Sequence, residues 1–140
     1  IGIGSGGGVG KVTAEWLMTG HINEDIFNYD IKRFQKFHSE LSFIKERITE
    51  SLGDLYGMHW PYKQHKTSRN IKTLPYHDLL KGFGACFGAS AGYERPMWFA
   101  LDGEKTEYEY SYNYQNWYPS VEYETSNTVK NVGLFDLTPF

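Results

Sequence analysis

The 140 residues carry 14 basic and 17 acidic side chains, a net charge of −3 that gives no electrostatic case for a nucleic-acid partner. No apolar run approaches membrane-spanning length, and the start lacks the charged, apolar and small-residue order of a signal segment, so no membrane partner is expected. A single cysteine, Cys86, excludes an internal disulfide and any multi-cysteine metal site.

Residues Ile1 to Lys11 read IGIGSGGGVGK, with glycine at positions 4, 6, 7, 8 and 10. The run opens into VTAEWLMTG, so a helix is expected from about Gly8 to Thr19, closed by Gly20. The N–H groups and the dipole at such a helix start attract phosphates, carboxylates or other electron-rich oxygens. Cofactor contact is the first hypothesis; tight helix–sheet packing without a ligand is the other, and the run does not decide between them. A dinucleotide fingerprint can be laid on Gly2, Gly4 and Gly7, with Asp25 at the acidic position. No full strand precedes it, however, and no second strand is evident. A P-loop fails because Gly10-Lys11 is followed by Val12.

Residues 22–37 read as an extended or short-turn connector. Leu41, Ile44, Ile48, Leu52 and Leu55 recur every three or four residues, which predicts an amphipathic helix ending before Gly57. Lys45, Glu46, Glu50 and Asp54 fall mostly on its other face and are expected to be solvated. Met58 to Tyr62 reads as an aromatic strand or turn, and 63–72 as a polar surface loop. Pro75 predicts a short helix over 76–81. Short strands follow at 85–88 and 97–100, around a turn holding Gly92. The stretch Gly92 to Phe99 is expected to be an architectural joint, although aromatic and arginine clusters also line cavities. Cys86, between Phe83, Ala85 and Phe87, is expected to be a small buried hydrophobe.

Tyr108, Tyr110, Tyr112 and Tyr114 alternate with polar residues, the mark of a half-buried strand or of a tyrosine-lined polar surface. A further helix is expected over 122–131 and a strand over 132–137. The five histidines are scattered, none four residues from another or beside a cysteine, and no metal site is expected. No Ser-His-Asp arrangement is legible. The chain starts inside an apolar stretch without Met and stops just after a strand-like run, so it is expected to be a segment of a longer protein.

Several segments, in order, resemble the dimethylglycine dehydrogenase and sarcosine dehydrogenase family of flavoproteins. They are GIGSGGGVGKVTAEWLMTG, YDIKRF, SRNIKTLPYHDLLKGFGACFG, GYERPMWFA and NVGLFDLTPF. The resemblance implies an α+β segment in three parts. Residues 1–37 would end an FAD-dependent oxidoreductase domain with its terminal helix. Residues 38–118 would form a central linking domain, and 119–140 would begin an aminomethyltransferase-like folate domain with its first strand.

The same resemblance implies that Ser5, Gly6, Gly7 and Gly8 form the late glycine loop facing the flavin ring of FAD. The substrate would be a small N-methylated amino acid, and tetrahydrofolate would bind downstream of Phe140. Catalytic residues would lie outside this segment. It also implies a soluble intracellular protein of the bacterial cytoplasm or mitochondrial matrix. A non-catalytic relative, resembling the regulatory subunit of pyruvate dehydrogenase phosphatase, is the other reading the resemblance allows.

Overall fold

A computed structural model describes residues 2–90 and 92–137. The chain divides into two compact units, Ile1–Gln35 and Lys36–Phe140. Helices and a small three-stranded sheet make the class α+β, as expected.

In the first unit a 3-10 turn, Ile3–Ser5, winds straight into helix α1, Gly6–Thr19. Gly20 ends α1 in the left-handed region (φ 76°), and its N–H donates to the Trp16 carbonyl. The connector is not extended. It folds into two more 3-10 turns, Phe27–Tyr29 and Ile31–Arg33, started by side chains that accept main-chain N–H groups two residues on: Asp25 from Phe27 and Asp30 from Lys32. Lys11 joins the connector to α1 through Glu24 at 2.5 Å and reaches Glu15 on its own helix at 3.4 Å. No described residue of α1 is buried.

The second unit opens with a 3-10 turn, Lys36–Ser39, that sets Phe37 edge-on to Phe43 of helix α2, Leu41–Asp54. A loop then leads to strand β1, Lys72–Thr73, and helix α3, His77–Gly82. Strands β2, Ala85–Ser90, and β3, Tyr93–Phe99, pair antiparallel, from Ala85 opposite Phe99 to Ser90 opposite Tyr93. A bulge at Cys86/Phe87 interrupts the register. The sheet order is β1-β3-β2, with β1 parallel to β3 beside Tyr93 and Glu94 only. Beyond that pairing no strand among the described residues flanks this side of β3, which is where a strand tolerates Pro96. Helix α4, Tyr118–Lys130, closes the far end: Glu124 accepts the Phe99 N–H at 2.7 Å.

Two glycines are dictated by this packing. Gly92 adopts φ 83° at the β2–β3 turn. At Gly88 a Cβ would come within 2.7 Å of the Met97 side chain and 3.1 Å of Gln64. The core is compact, with Leu74, Ala85, Cys86 and Trp98 buried alongside the polar Glu94, Gln115 and Ser120. Cys86 is the buried small residue the sequence suggests, and burial raises its thiol pKa to about 11.

Three expectations are corrected. The tyrosine-rich stretch 107–117 is not a strand. Its side chains make long-range contacts in place of a ladder. The Tyr110 hydroxyl accepts the Gln64 N–H at 2.8 Å, Tyr112 donates to the His59 carbonyl, and Gln115 donates to the Pro61 carbonyl. The helix expected over 122–131 begins four residues earlier, because Pro119 suits its first turn. Residues 132–137 form no strand, since no neighbour among the described residues supplies the ladder a strand needs. Residues 138–140, the last of the domain start expected at 119–140, lie outside the described residues.

The faces of α2 are reversed relative to expectation. Its apolar stripe, Leu41, Ile44, Ile48, Leu52 and Leu55, is 40–65% exposed. The acidic face, expected to be solvated, holds the following loop. Glu46 accepts from the Ser68 hydroxyl, Glu50 from the Lys66 and Thr67 amides and the Thr67 hydroxyl, and Asp54 from Lys63 at 2.5 Å.

Candidate functional site

The four residues singled out from sequence, Ser5, Gly6, Gly7 and Gly8, lie together where the 3-10 turn becomes α1, all exposed. The Ser5 side chain makes no capping hydrogen bond. The Gly6 N–H is not free, because it donates to the Ile3 carbonyl to close the turn. None of Gly2, Gly4, Gly6, Gly7, Gly8 and Gly10 has a positive φ. A Cβ on any of them would meet no atom of the described residues within 4 Å.

Glycine inside a helix costs about 0.5–1 kcal/mol relative to alanine. Four of these glycines stand in the first five residues of α1 with no local packing reason to be there. They leave the positive end of the helix dipole bare of side chains, so that a flat, electron-rich group can approach the backbone.

The second unit holds a cavity of about 770 Å³ bordered by Arg69, Glu94, His77, Cys86, Tyr108 and Lys81. Its wall is built on an ion pair between two distant segments. Arg69 Nε donates to Glu94 Oε1 at 2.7 Å, and Nη2 reaches Oε2 at 2.5 Å. Nη1 and Nη2 also donate to the His65 and Phe87 carbonyls, respectively. Glu94, 3% exposed, also accepts the Asn70 N–H at 2.9 Å. Burial pushes its pKa up, but the Arg69 guanidinium and the Asn70 amide outweigh it and hold the carboxyl below its ordinary value. Arg69 is raised in turn by Glu94.

With four of its five donors spent on the protein, Arg69 is a clasp rather than a ligand clamp. Burial, with Cys86 and Tyr110 nearby, takes the Tyr108 hydroxyl up to about 12, and Cys86 stays a thiol, so neither serves as a nucleophile near neutral pH. Glu94 adjoins Arg95 in sequence, but its structural partner is Arg69, twenty-five residues earlier. Only the apolar setting of Glu94 in a strand, Tyr93 to Phe99, signalled a buried charge needing a partner. Trp98, 2% exposed, stands edge-on to Tyr108 at 6.2 Å within the stretch Gly92 to Phe99.

Residues 19–73 match the sequence model of the FAD dependent oxidoreductase central domain. Over 95% of its length the chain is 41% identical to 4-methylaminobutanoate oxidase (formaldehyde-forming) of Paenarthrobacter nicotinovorans, covering 16% of that protein. Mouse mitochondrial sarcosine dehydrogenase is 31% identical over 96% of the chain, which covers 15% of it. Sarcosine and dimethylglycine dehydrogenases are thus homologues of this chain along most of its length, and it carries a match to the FAD dependent oxidoreductase central domain. The mouse mitochondrial pyruvate dehydrogenase phosphatase regulatory subunit is 31% identical over 99% of the chain, which covers 16% of it. The chain thus spans about a sixth of the length of these curated relatives. Among the described residues no helix is long and apolar enough to cross a membrane.

Proposed function

We propose that this chain is the joining segment of an FAD-dependent enzyme that oxidises the N-methyl group of a small amino acid. In this reading residues 1–37 end the FAD domain, 38–118 form the central domain, and 119–140 begin an aminomethyltransferase-like domain that receives the one-carbon unit on tetrahydrofolate. The protein is soluble and intracellular. The observation that carries the flavin assignment is the glycine run: helix-weakening residues, exposed, with room for a Cβ that nothing among the described residues beyond their own chain neighbours and helix backbone occupies.

Bound FAD would supply a hydride acceptor whose pyrimidine edge carries the negative charge of the reduced form. Ser5, Gly6, Gly7 and Gly8 would hold that edge. Their part is electrostatic, since the α1 dipole favours the charged form, while the missing side chains let the ring come close. The Gly6 N–H is already engaged with Ile3, so the donors belong to the residues after it. The released one-carbon unit leaves as formaldehyde or passes to tetrahydrofolate.

The test uses the full-length protein. Purified wild type should show bound flavin that bleaches on adding 4-methylaminobutanoate, sarcosine or dimethylglycine. Gly7→Val should lose flavin or slow its reduction by on the order of tenfold or more, since the β-branched side chain fills the approach. Unchanged flavin content and rate in that variant would remove the glycine run from the cofactor site. The 31% identity to the phosphatase regulatory subunit supports a second, non-catalytic reading. That reading stands if flavin is absent, or is bound without being reduced by any of the three amines.

A further inference from the structure

The acidic face of α2 and the loop that docks on it bring together three metal-binding side chains that the sequence keeps apart. Glu50 and Asp54, one helical turn from each other, project on the same side of α2. His65 comes from the loop. One ligand atom from each lies within 4.8 Å of the other two. The His65 Nδ1 is buried and makes no hydrogen bond among the described residues. It stands 3.6 Å from Asp54 Oδ2 and 3.8 Å from Glu50 Oε1. Those separations are long for a hydrogen bond. They are close to the distance between two ligands of one tetrahedral ion, about 3.3–3.6 Å for bonds of about 2.0–2.2 Å.

We infer that Glu50, Asp54 and His65 form a site for a divalent transition-metal ion of the Zn²⁺ type, which clips the loop after α2 to the helix. The donor set decides the class of ion. One imidazole nitrogen with two carboxylates suits Zn²⁺, whereas Ca²⁺ and Mg²⁺ take all-oxygen shells. Surrounding contacts hold the ligands in place, as outer partners do in metal sites. The Thr67 hydroxyl and the Lys66 and Thr67 amides orient Glu50. Lys63, by contrast, pairs with Asp54 Oδ1 and competes with an ion for that carboxylate, while Oδ2 stands 3.6 Å from His65 Nδ1. Beside the ligands a cavity of about 310 Å³, which Asp54 and His65 help to line, gives room for water in the fourth position. Lys63 and Arg47, the latter 3.9 Å from Glu50 Oε2, are the charges that oppose the ion.

The experiment is equilibrium dialysis of the metal-stripped full-length protein against Zn²⁺, with metal counted per chain, for wild type, His65→Gln, Asp54→Asn and Lys63→Met. Wild type should hold one ion more than His65→Gln or Asp54→Asn, whose affinity at this site falls by at least about 100-fold. Lys63→Met keeps all three ligands and removes a competing ammonium, so it should bind several-fold tighter. With Co²⁺ the wild type should show visible d–d absorption that is missing from His65→Gln. Melting of the metal-free variants within a few degrees of wild type separates ligand loss from misfolding. Equal Zn²⁺ content in wild type and both ligand variants overturns the proposal and leaves adventitious surface binding. No gain in affinity for Lys63→Met, with folding intact, overturns the proposed arrangement of charges around the ion. Flavin content and amine oxidation are separate readouts, so failure here leaves the proposed function untouched.

Discussion

Glu94 is the residue on which the second unit turns. A carboxylate 3% exposed in the central strand costs several kcal/mol to desolvate, and the forked guanidinium of Arg69 with the Asn70 amide offsets that cost. Glu94→Gln leaves Arg69 largely buried without its counter-charge and should destabilise by about 3 kcal/mol. The paired Arg69→Met/Glu94→Leu variant should recover much of the loss by removing both charges. Urea unfolding of the set checks this, and additive losses in the double variant would mean the two residues act independently. Trp98 is the other anchor: Trp98→Ala should cost about 3–5 kcal/mol, as truncation of a buried aromatic does. Amine oxidation per folded, flavin-loaded molecule should stay nearly constant. A Trp98→Ala protein that melts normally but loses turnover would place the indole at a reaction cavity instead.

At the scale of elements, α2 shows that periodicity locates a helix without saying which face is covered. The stripe at spacings of three and four is real, yet the docked face is acidic, because the following loop offers it backbone N–H groups. Glu50 is the hub. Burial raises its pKa, but the Thr67 hydroxyl, the Lys66 and Thr67 amides and the nearby His65 outweigh this and hold the carboxyl at about 2. Its folded value lies below its unfolded one, near 4.3. The stabilisation it gives is therefore complete above about pH 4.3 and is lost as pH falls towards 2. Acid titration should free the loop 63–69 in that window, seen as collapse of the Thr67 amide shift by NMR. Glu50→Gln should flatten that step, and an unchanged titration in the variant would assign it to another carboxyl. The tyrosine stretch makes the same point for strands: alternation at period two arises here from hydroxyls and rings docking on a loop, without a ladder.

Across the whole molecule, apolar surface is left bare in each unit taken by itself. In the first unit Trp16, Leu17 and Met18 of α1 are exposed, and in the second the α2 stripe and Val132, Leu134 and Phe135 are. Patches of this kind mark surfaces built to be covered. The buried residues concentrate at β2, β3 and Leu74, so protection should concentrate there too. Hydrogen exchange on the isolated 140 residues should show slow amides in 85–90 and 93–99 and fast ones in 8–17. Equal protection of α1 and the β2–β3 pair would mean that α1 finds support within the chain.

The sequence by itself located most elements, because their signals are local. Gly20 closes α1, the stripe marks α2, Pro75 precedes α3, and glycine at 92 turns β2 into β3. It also placed Ser5, Gly6, Gly7 and Gly8 at one helix start and carried the family resemblance, since both rest on residues contiguous in the chain. What only the tertiary structure decided depends on partners distant in sequence. Nothing near Glu94 announces Arg69, nothing near Glu50 announces Thr67 or His65, and neither periodicity nor composition says which face of α2 meets the loop. A buried charge takes whatever donor the fold brings within hydrogen-bond reach, and that choice is made by three-dimensional proximity, which one-dimensional spacing does not encode.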